Sequence, residues 1–202
     1  VLAVKPQYAN DVFSQLEGKI SANVLVLSIM AGVTISQMQQ GLGTGTIVRV
    51  MPNTPAQVGK GMSVWTATDT VNETQKSYAQ TMLGALGSEV FMGREYFLDM
   101  ATGLSGSGPA YVFLFIEALT DAGVHMGFPR PVAEELALQT IEGSVAFARQ
   151  NPQHPAELRN MVTSPGGTTA DGLYELEKGG FRSTISKAVH AAYQKSIALG
   201  EK

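Results

Sequence analysis

Near Tyr96 the hydrophobic pattern of this 202-residue chain changes period, and that change limits the folds open to it. Before it, short apolar runs alternate with helical stretches. Residues 23–29, with Val24, Leu25, Val26 and Leu27 in succession, read as a central strand, and 45–51 and 62–68 read as two more. Residues 10–16, with Asn10 or Asp11 as cap, 34–40, and 73–86, ended by Gly87, read as helices. Val1-Leu2-Ala3-Val4 is a further strand-like run that ends in Lys5-Pro6. A chain rarely starts inside a buried strand, so upstream sequence is expected to be missing. The alternation predicts right-handed βαβ units, a parallel sheet and helices on both faces. Ligands in such sheets bind at the carboxyl ends of the strands. Lys5-Pro6, Met30-Ala31-Gly32 and Pro52-Asn53-Thr54-Pro55 each follow a strand directly and are expected to line one rim.

From Pro109 onward the pattern is nearly all helical, over 109–122, 131–149, 155–162, 170–178 and 181–199. Pro109, Pro131 and Pro155 stand at helix starts, where a missing N–H costs nothing. The first of these helices carries Tyr111, Val112, Phe113, Leu114, Phe115, Ile116, Ala118 and Leu119, apolar on almost every side. It needs cover all round. A second copy of the chain supplies that cover best, so an obligate dimer with a large apolar interface is expected.

At 44% hydrophobic residues the chain can bury a substantial core. Its net charge of -3, with 14 Lys and Arg and no basic run, argues against nucleic acid as a partner. The chain has no cysteine, which excludes disulfides and thiolate metal sites and agrees with a cytoplasmic protein. His125, His154 and His190 are too scattered for a ligand set, so no metal is expected. The longest apolar run, 110–116, is too short to cross a bilayer, and no membrane partner is expected.

One segment carries chemistry. In Ser164-Pro165-Gly166-Gly167-Thr168-Thr169, two glycines let successive N–H groups turn into one concavity, and a helix follows at once. Its free N–H groups and dipole add to the same spot, which suits a carboxylate or phosphate. The threonine hydroxyls can both donate and accept, so Thr169 could touch a second polar atom of the same ligand. The run also reads as an ordinary loop with Thr168 or Thr169 as helix N-cap. Gly103-Leu104-Ser105-Gly106-Ser107-Gly108-Pro109 is GxxGxG rather than GxGxxG and follows no convincing strand, so it is not a dinucleotide fingerprint. It reads as a Gly/Ser loop that lets a helix start pack close to another backbone, with a ligand-facing loop as the alternative.

Five segments, in this order and spacing, make the chain resemble the pyrroline-5-carboxylate reductase family. They are Ala3-Val4-Lys5-Pro6, Ser28-Ile29-Met30-Ala31-Gly32-Val33-Thr34, Arg49-Val50-Met51-Pro52-Asn53-Thr54-Pro55, Gly103 through Tyr111, and Met161-Val162-Thr163-Ser164-Pro165-Gly166-Gly167-Thr168-Thr169. The resemblance implies an α/β Rossmann-type domain, incomplete at its N-terminus, over 1–96, and an all-α dimerisation and substrate-binding domain over 97–202. It implies hydride transfer from NADPH or NADH to a cyclic imine carboxylate, giving proline. By the same resemblance Ala3, Lys5, Pro6, Met30, Ala31, Asn53 and Thr54 belong to the cofactor site. Ser164, Gly166 and the N–H groups of Gly167 and Thr168 hold the substrate carboxylate, and the catalytic Thr169 hydroxyl meets the ring nitrogen. Family members form dimers and higher oligomers, and the loop is expected to complete a site shared between subunits. The alternatives are another reductase of the same two-part layout, or an inactive, truncated dimerisation fragment. Of the remaining polar residues, Glu117 and Asp121, one turn apart, could do acid/base work but are rather expected to pair with an arginine of a partner chain or to cap a buried polar network, Arg182 to anchor a helix end, and His154 to start a helix.

Overall fold

Four strands pair in the order β1 (Val26–Ser28), β2 (Ile47–Met51), β3 (Gly61–Ala67) and β4 (Gly87–Phe91) in the computed structural model, which describes residues 1–21 and 23–200. Ala22, Glu201 and Lys202, the last two ending the expected helical domain, lie outside the described residues. β1 and β2 run parallel, with Val26 opposite Ile47 and Ser28 opposite Arg49. The Val1–Val4 run adds one parallel bridge, Leu2 to Ser28, in which the Leu2 N–H donates to the Leu27 carbonyl at 2.7 Å. The expectation of a wholly parallel sheet is corrected at the next pair, because β3 lies antiparallel to β2 and β4 parallel to β3. The connection from β2 to β3 is only a 3₁₀ turn, Thr54–Val58. A parallel return needs a crossover of a dozen or more residues, so the chain can only double back.

Helices α1 (Ala9–Leu16) and α2 (Ile35–Leu42) lie on one face of this sheet, and α3 (Glu73–Gly84) lies on the other. Alternation along β1 and β2 separates the two cores. Val26 and Ile47 join Phe13, Met38 and Leu42, whereas Leu27, Val48 and Val50 join Trp65, Ala79 and Leu83. Thr34 and Asn72 start α2 and α3 with reciprocal capping boxes to Gln37 and Gln75. Asn10 and Asp11 do not cap α1. Pro6 opens a 3₁₀ turn, Pro6–Tyr8, that runs straight into the helix, so Tyr8 is the cap. Nor does Gly87 end α3, since the helix stops at Gly84 and Gly87 begins the unexpected β4.

Past β4, α4 (Phe97–Ala101) runs into a π-helical turn, Thr102–Gly106. The expected Gly/Ser loop is therefore helical, yet its close packing is real. A Cβ on Gly103 would stand 2.8 Å from the Val189 carbonyl oxygen. Then come α5 (Gly108–His125), α6 (Arg130–Gln150), α7 (Pro155–Met161), α8 (Thr168–Lys178) and α9 (Phe181–Gly200). The chain divides into two compact units, one of Val1–Pro109 with the chain from Ala188 onward, the other of Ala110–Lys187.

Within the second unit α5 and α6 meet through small residues, where a Cβ on Gly123 would lie 2.8 Å from that of Ala133. Little else in it is buried. Phe113 is 62% exposed and Leu114 66%, as a helix made for an apolar partner would leave them. No helix among the described residues is long and apolar enough to cross a membrane.

Candidate active site

The first unit supplies a strand-end rim. The Leu2 bridge, β1 and β2 are parallel, so their carboxyl ends open on the same side, at Lys5-Pro6, Met30-Ala31-Gly32 and Pro52-Asn53-Thr54. Lys5 is exposed and precedes the Pro6–Tyr8 turn, its carbonyl accepting the Tyr8 N–H at 2.9 Å. Ala3 is also exposed. Pro6 and Ala31 line a cleft of about 540 Å³ with Gln7, Phe13, Gly32 and Gln37. Lys5, Asn53 and Thr54 do not border it. Met30 is 2% exposed and its side chain belongs to the core. Gly32 turns the chain at φ +73, and the Ala31 and Gly32 N–H groups have no acceptor among the described residues.

Asn53 is a bracket as well as a rim residue. Its Oδ1 accepts the Met62 N–H at 2.8 Å, and its Nδ2 donates to the Ser105 carbonyl at 3.0 Å. That ties the end of β2 to the start of β3 and to the π-helical turn. One Nδ2 hydrogen remains. Thr54 is exposed in the turn that follows.

The second unit supplies the glycine-threonine segment. Ser164-Pro165-Gly166-Gly167 forms a type II turn: proline fixes φ at the second position, Gly166 takes φ +67 at the third, and the Gly167 N–H donates to the Ser164 carbonyl at 3.0 Å. The expectation that the Gly167 N–H holds a ligand is therefore corrected, because turn closure engages it. Gly167, not a threonine, is the N-cap of α8, and no side chain caps that helix. The N–H groups of Thr168 and Thr169 sit in the first turn with no acceptor among the described residues, and the Thr169 hydroxyl is likewise unpaired. Ser164, Thr168 and Thr169 are exposed. The approach to the turn is held by the Thr163 hydroxyl, which donates to the Arg159 carbonyl at 2.7 Å. The free donors together with the helix dipole favour an anion.

Three of the four lesser polar residues have local partners. Asp121 pairs at 2.7 Å with Arg130 of its own chain, so the expected partner-chain arginine is not needed there. Glu117 borders a cleft of about 260 Å³ with Thr120, Arg130 and Glu134. Arg182 does anchor a helix end, its Nε donating to Glu177 Oε1 at 2.7 Å between α8 and α9. The His154 Nδ1 accepts the Ala156 N–H at 3.1 Å as N-cap of α7. Among the described residues no three His, Asp or Glu side chains converge as a metal set would.

Sequence reasoning passed over Glu95, which sits beside the rim and bonds both Arg49 and the Ile35 N–H. The signal was present. A charge in the middle of the apolar strand Ile47–Met51 needs a partner somewhere.

Comparison with known proteins finds relatives over the whole chain. The pyrroline-5-carboxylate reductase dimerisation family matches residues 95–199. The chain is 48% identical over 202 residues, all of its length, to the pyrroline-5-carboxylate reductase of Synechocystis sp., of which it covers 75%. The crystal structure of Plasmodium falciparum pyrroline carboxylate reductase with NADP bound superposes with a TM-score of 0.92 at 42% identity, over 98% of this chain and 75% of that one. The pyrroline-5-carboxylate reductase of Coxiella burnetii gives a TM-score of 0.93 at 38% identity, over 100% and 75%.

Proposed function

Because the chain belongs to the pyrroline-5-carboxylate reductase family, we propose that its two features divide one reaction, the rim receiving a reduced nicotinamide cofactor and the glycine-threonine turn receiving the imine. The reaction is the reduction of 1-pyrroline-5-carboxylate to proline, the closing step of proline biosynthesis. When bound, the cofactor supplies a hydride to the imine carbon.

This chain's residues do the rest. The Thr168 and Thr169 N–H groups and the Ser164 hydroxyl take the substrate carboxylate at the N-terminus of α8, an eleven-residue helix. Gly166 lets the turn form at positive φ. The Thr169 hydroxyl faces the ring nitrogen and orients it. A protonated imine is already electrophilic, so positioning and exclusion of water count for more than a strong acid. The observation that carries this reading is the set of unengaged donors at Thr168 and Thr169, directly after a turn whose own hydrogen bond is closed.

On the rim, Ala31, Gly32 and Asn53 offer N–H donors, Pro6 offers an apolar wall, and Ala3, Lys5, Met30 and Thr54 flank them. These donors fit a ligand rich in carboxamide, hydroxyl and phosphate oxygens. The relative solved with NADP bound supports NADPH over NADH. The exposed apolar side chains of α5 support assembly as a homodimer, from which higher oligomers can be built. A cytoplasmic site of action belongs to the same proposal, in keeping with a chain that has no cysteine.

Loss of nicotinamide absorbance on adding pyrroline-5-carboxylate, with proline as product, tests the function. Faster loss with NADPH than with NADH supports the cofactor choice. No turnover with either cofactor removes the reductase reading.

A further inference from the structure

One carboxylate oxygen joins three parts of the strand-end rim. Glu95 Oε1 accepts from Arg49 Nη1 at 2.6 Å and from the Ile35 N–H at 2.8 Å. Arg49 lies in β2 with 6% of its side chain exposed, so its charge must be met nearby. Ile35 is the first residue of α2, and its N–H is one of those a helix start leaves without an internal partner. Thr34 Oγ1 already takes the Gln37 N–H and Gln37 Oε1 the Thr34 N–H, so Glu95 covers the Ile35 N–H that this capping box leaves free. The carboxylate also sits where the α2 dipole favours negative charge.

Between β1 and α2 runs the turn that carries Met30, Ala31 and Gly32. Its entry is fixed by the Met30 N–H on Ser28 Oγ at 3.3 Å, its middle by the left-handed Gly32, and its exit by Glu95. On the reductase reading, this turn meets the nicotinamide cofactor. We propose that Glu95 is a positioning residue which, paired with Arg49 and capping α2, holds the Met30–Gly32 turn in its cofactor-receiving conformation. Glu95 acts through the turn and touches no reacting atom.

The test compares the full chain with Glu95→Ala and Glu95→Gln. Thermal unfolding, amide exchange of the 29–38 segment, the Kd for NADPH from its own fluorescence, and kcat with both KM values are measured. The expected Glu95→Ala protein exchanges the Ile35 amide faster and binds NADPH about tenfold more weakly, because the carboxylate's bonds to Arg49 and to the Ile35 N–H are both lost and the turn is held less firmly. Its kcat and its KM for the imine stay within about twofold, because the substrate turn is untouched. Glu95→Gln keeps an oxygen that can accept both bonds and restores NADPH binding to within about threefold. A folded Glu95→Ala with unchanged NADPH Kd overturns the inference, as does one in which kcat falls and both KM values rise together. If Glu95→Ala does not fold, Glu95→Asp, one methylene short of Ile35, must weaken NADPH binding, and an unchanged Kd there overturns the inference equally. An unsubstituted chain that binds neither NADPH nor NADH removes the reductase reading and this inference with it. Tight binding by that chain with indifferent variants removes the inference alone.

Discussion

Gly103 and Tyr193 approach so closely that a methyl group on the glycine would stand 2.9 Å from the tyrosine backbone nitrogen. Both belong to the first compact unit, where the π-helical turn packs on the late part of α9. Backbone on one side of the contact cannot give way as a flexible side chain would. Gly103→Ala is therefore expected to lose about 1–3 kcal/mol through overpacking, read as a lower urea midpoint with unchanged slope. An unshifted midpoint means that the two helical segments slide apart at little cost.

Asn53 makes its own prediction, because two backbone groups depend on one side chain. Asn53→Ala leaves the Met62 N–H and the Ser105 carbonyl without partners, a loss of about 1–3 kcal/mol for partly buried groups. Asn53→Asp keeps the acceptor for Met62 but turns a second oxygen toward the Ser105 carbonyl, so it recovers little. Denaturant titration of both variants, with the KM for NADPH beside it, separates the bracket from any direct cofactor contact. Stability loss at constant KM assigns Asn53 to the bracket alone.

Thr169→Ala is expected to lower kcat about ten- to a thousandfold, the range for one well-placed hydrogen bond near reacting atoms. Thr169→Ser keeps the hydroxyl and is expected to retain most of the rate. Steady-state kinetics with pyrroline-5-carboxylate decide the matter, and equal rates for alanine and threonine would take Thr169 out of the chemistry.

Leu114 is 66% exposed on α5, beside Phe113 at 62%. Leu114→Asp is expected to turn the dimer into monomer at micromolar concentration, since an unpaired carboxylate cannot enter an apolar interface without large desolvation cost. Sedimentation measures this directly. A dimer that survives the substitution uses another face of the helical unit.

The change of pattern near Tyr96 was legible because alternation and 3.6-residue spacing are local properties of the chain. The strand cores of β1, β2 and β3 and the five helices of the second half followed from it, while the Ser164–Thr169 turn followed from its proline and glycines. β4 and α4 were not legible. Gly87–Phe91 is a half-exposed edge strand with weak alternation, and Phe97–Ala101 is too short to show a helical period. The antiparallel step between β2 and β3 depends on the length of a connection, which the apolar runs do not record.

At the candidate site the division is sharper. Residue types by themselves marked the turn and the strand-end rim as candidates, since glycine, proline and threonine carry their conformational limits wherever they stand. Tertiary and turn geometry decided which donors remain: the Gly167 N–H closes onto Ser164, while Thr168 and Thr169 keep theirs. It also brought Glu95 to Arg49 and Ile35 across 46 and 60 positions of sequence. A hydrogen bond forms at about 3 Å in space and is indifferent to separation along the chain, so such pairings exist only once the chain has folded.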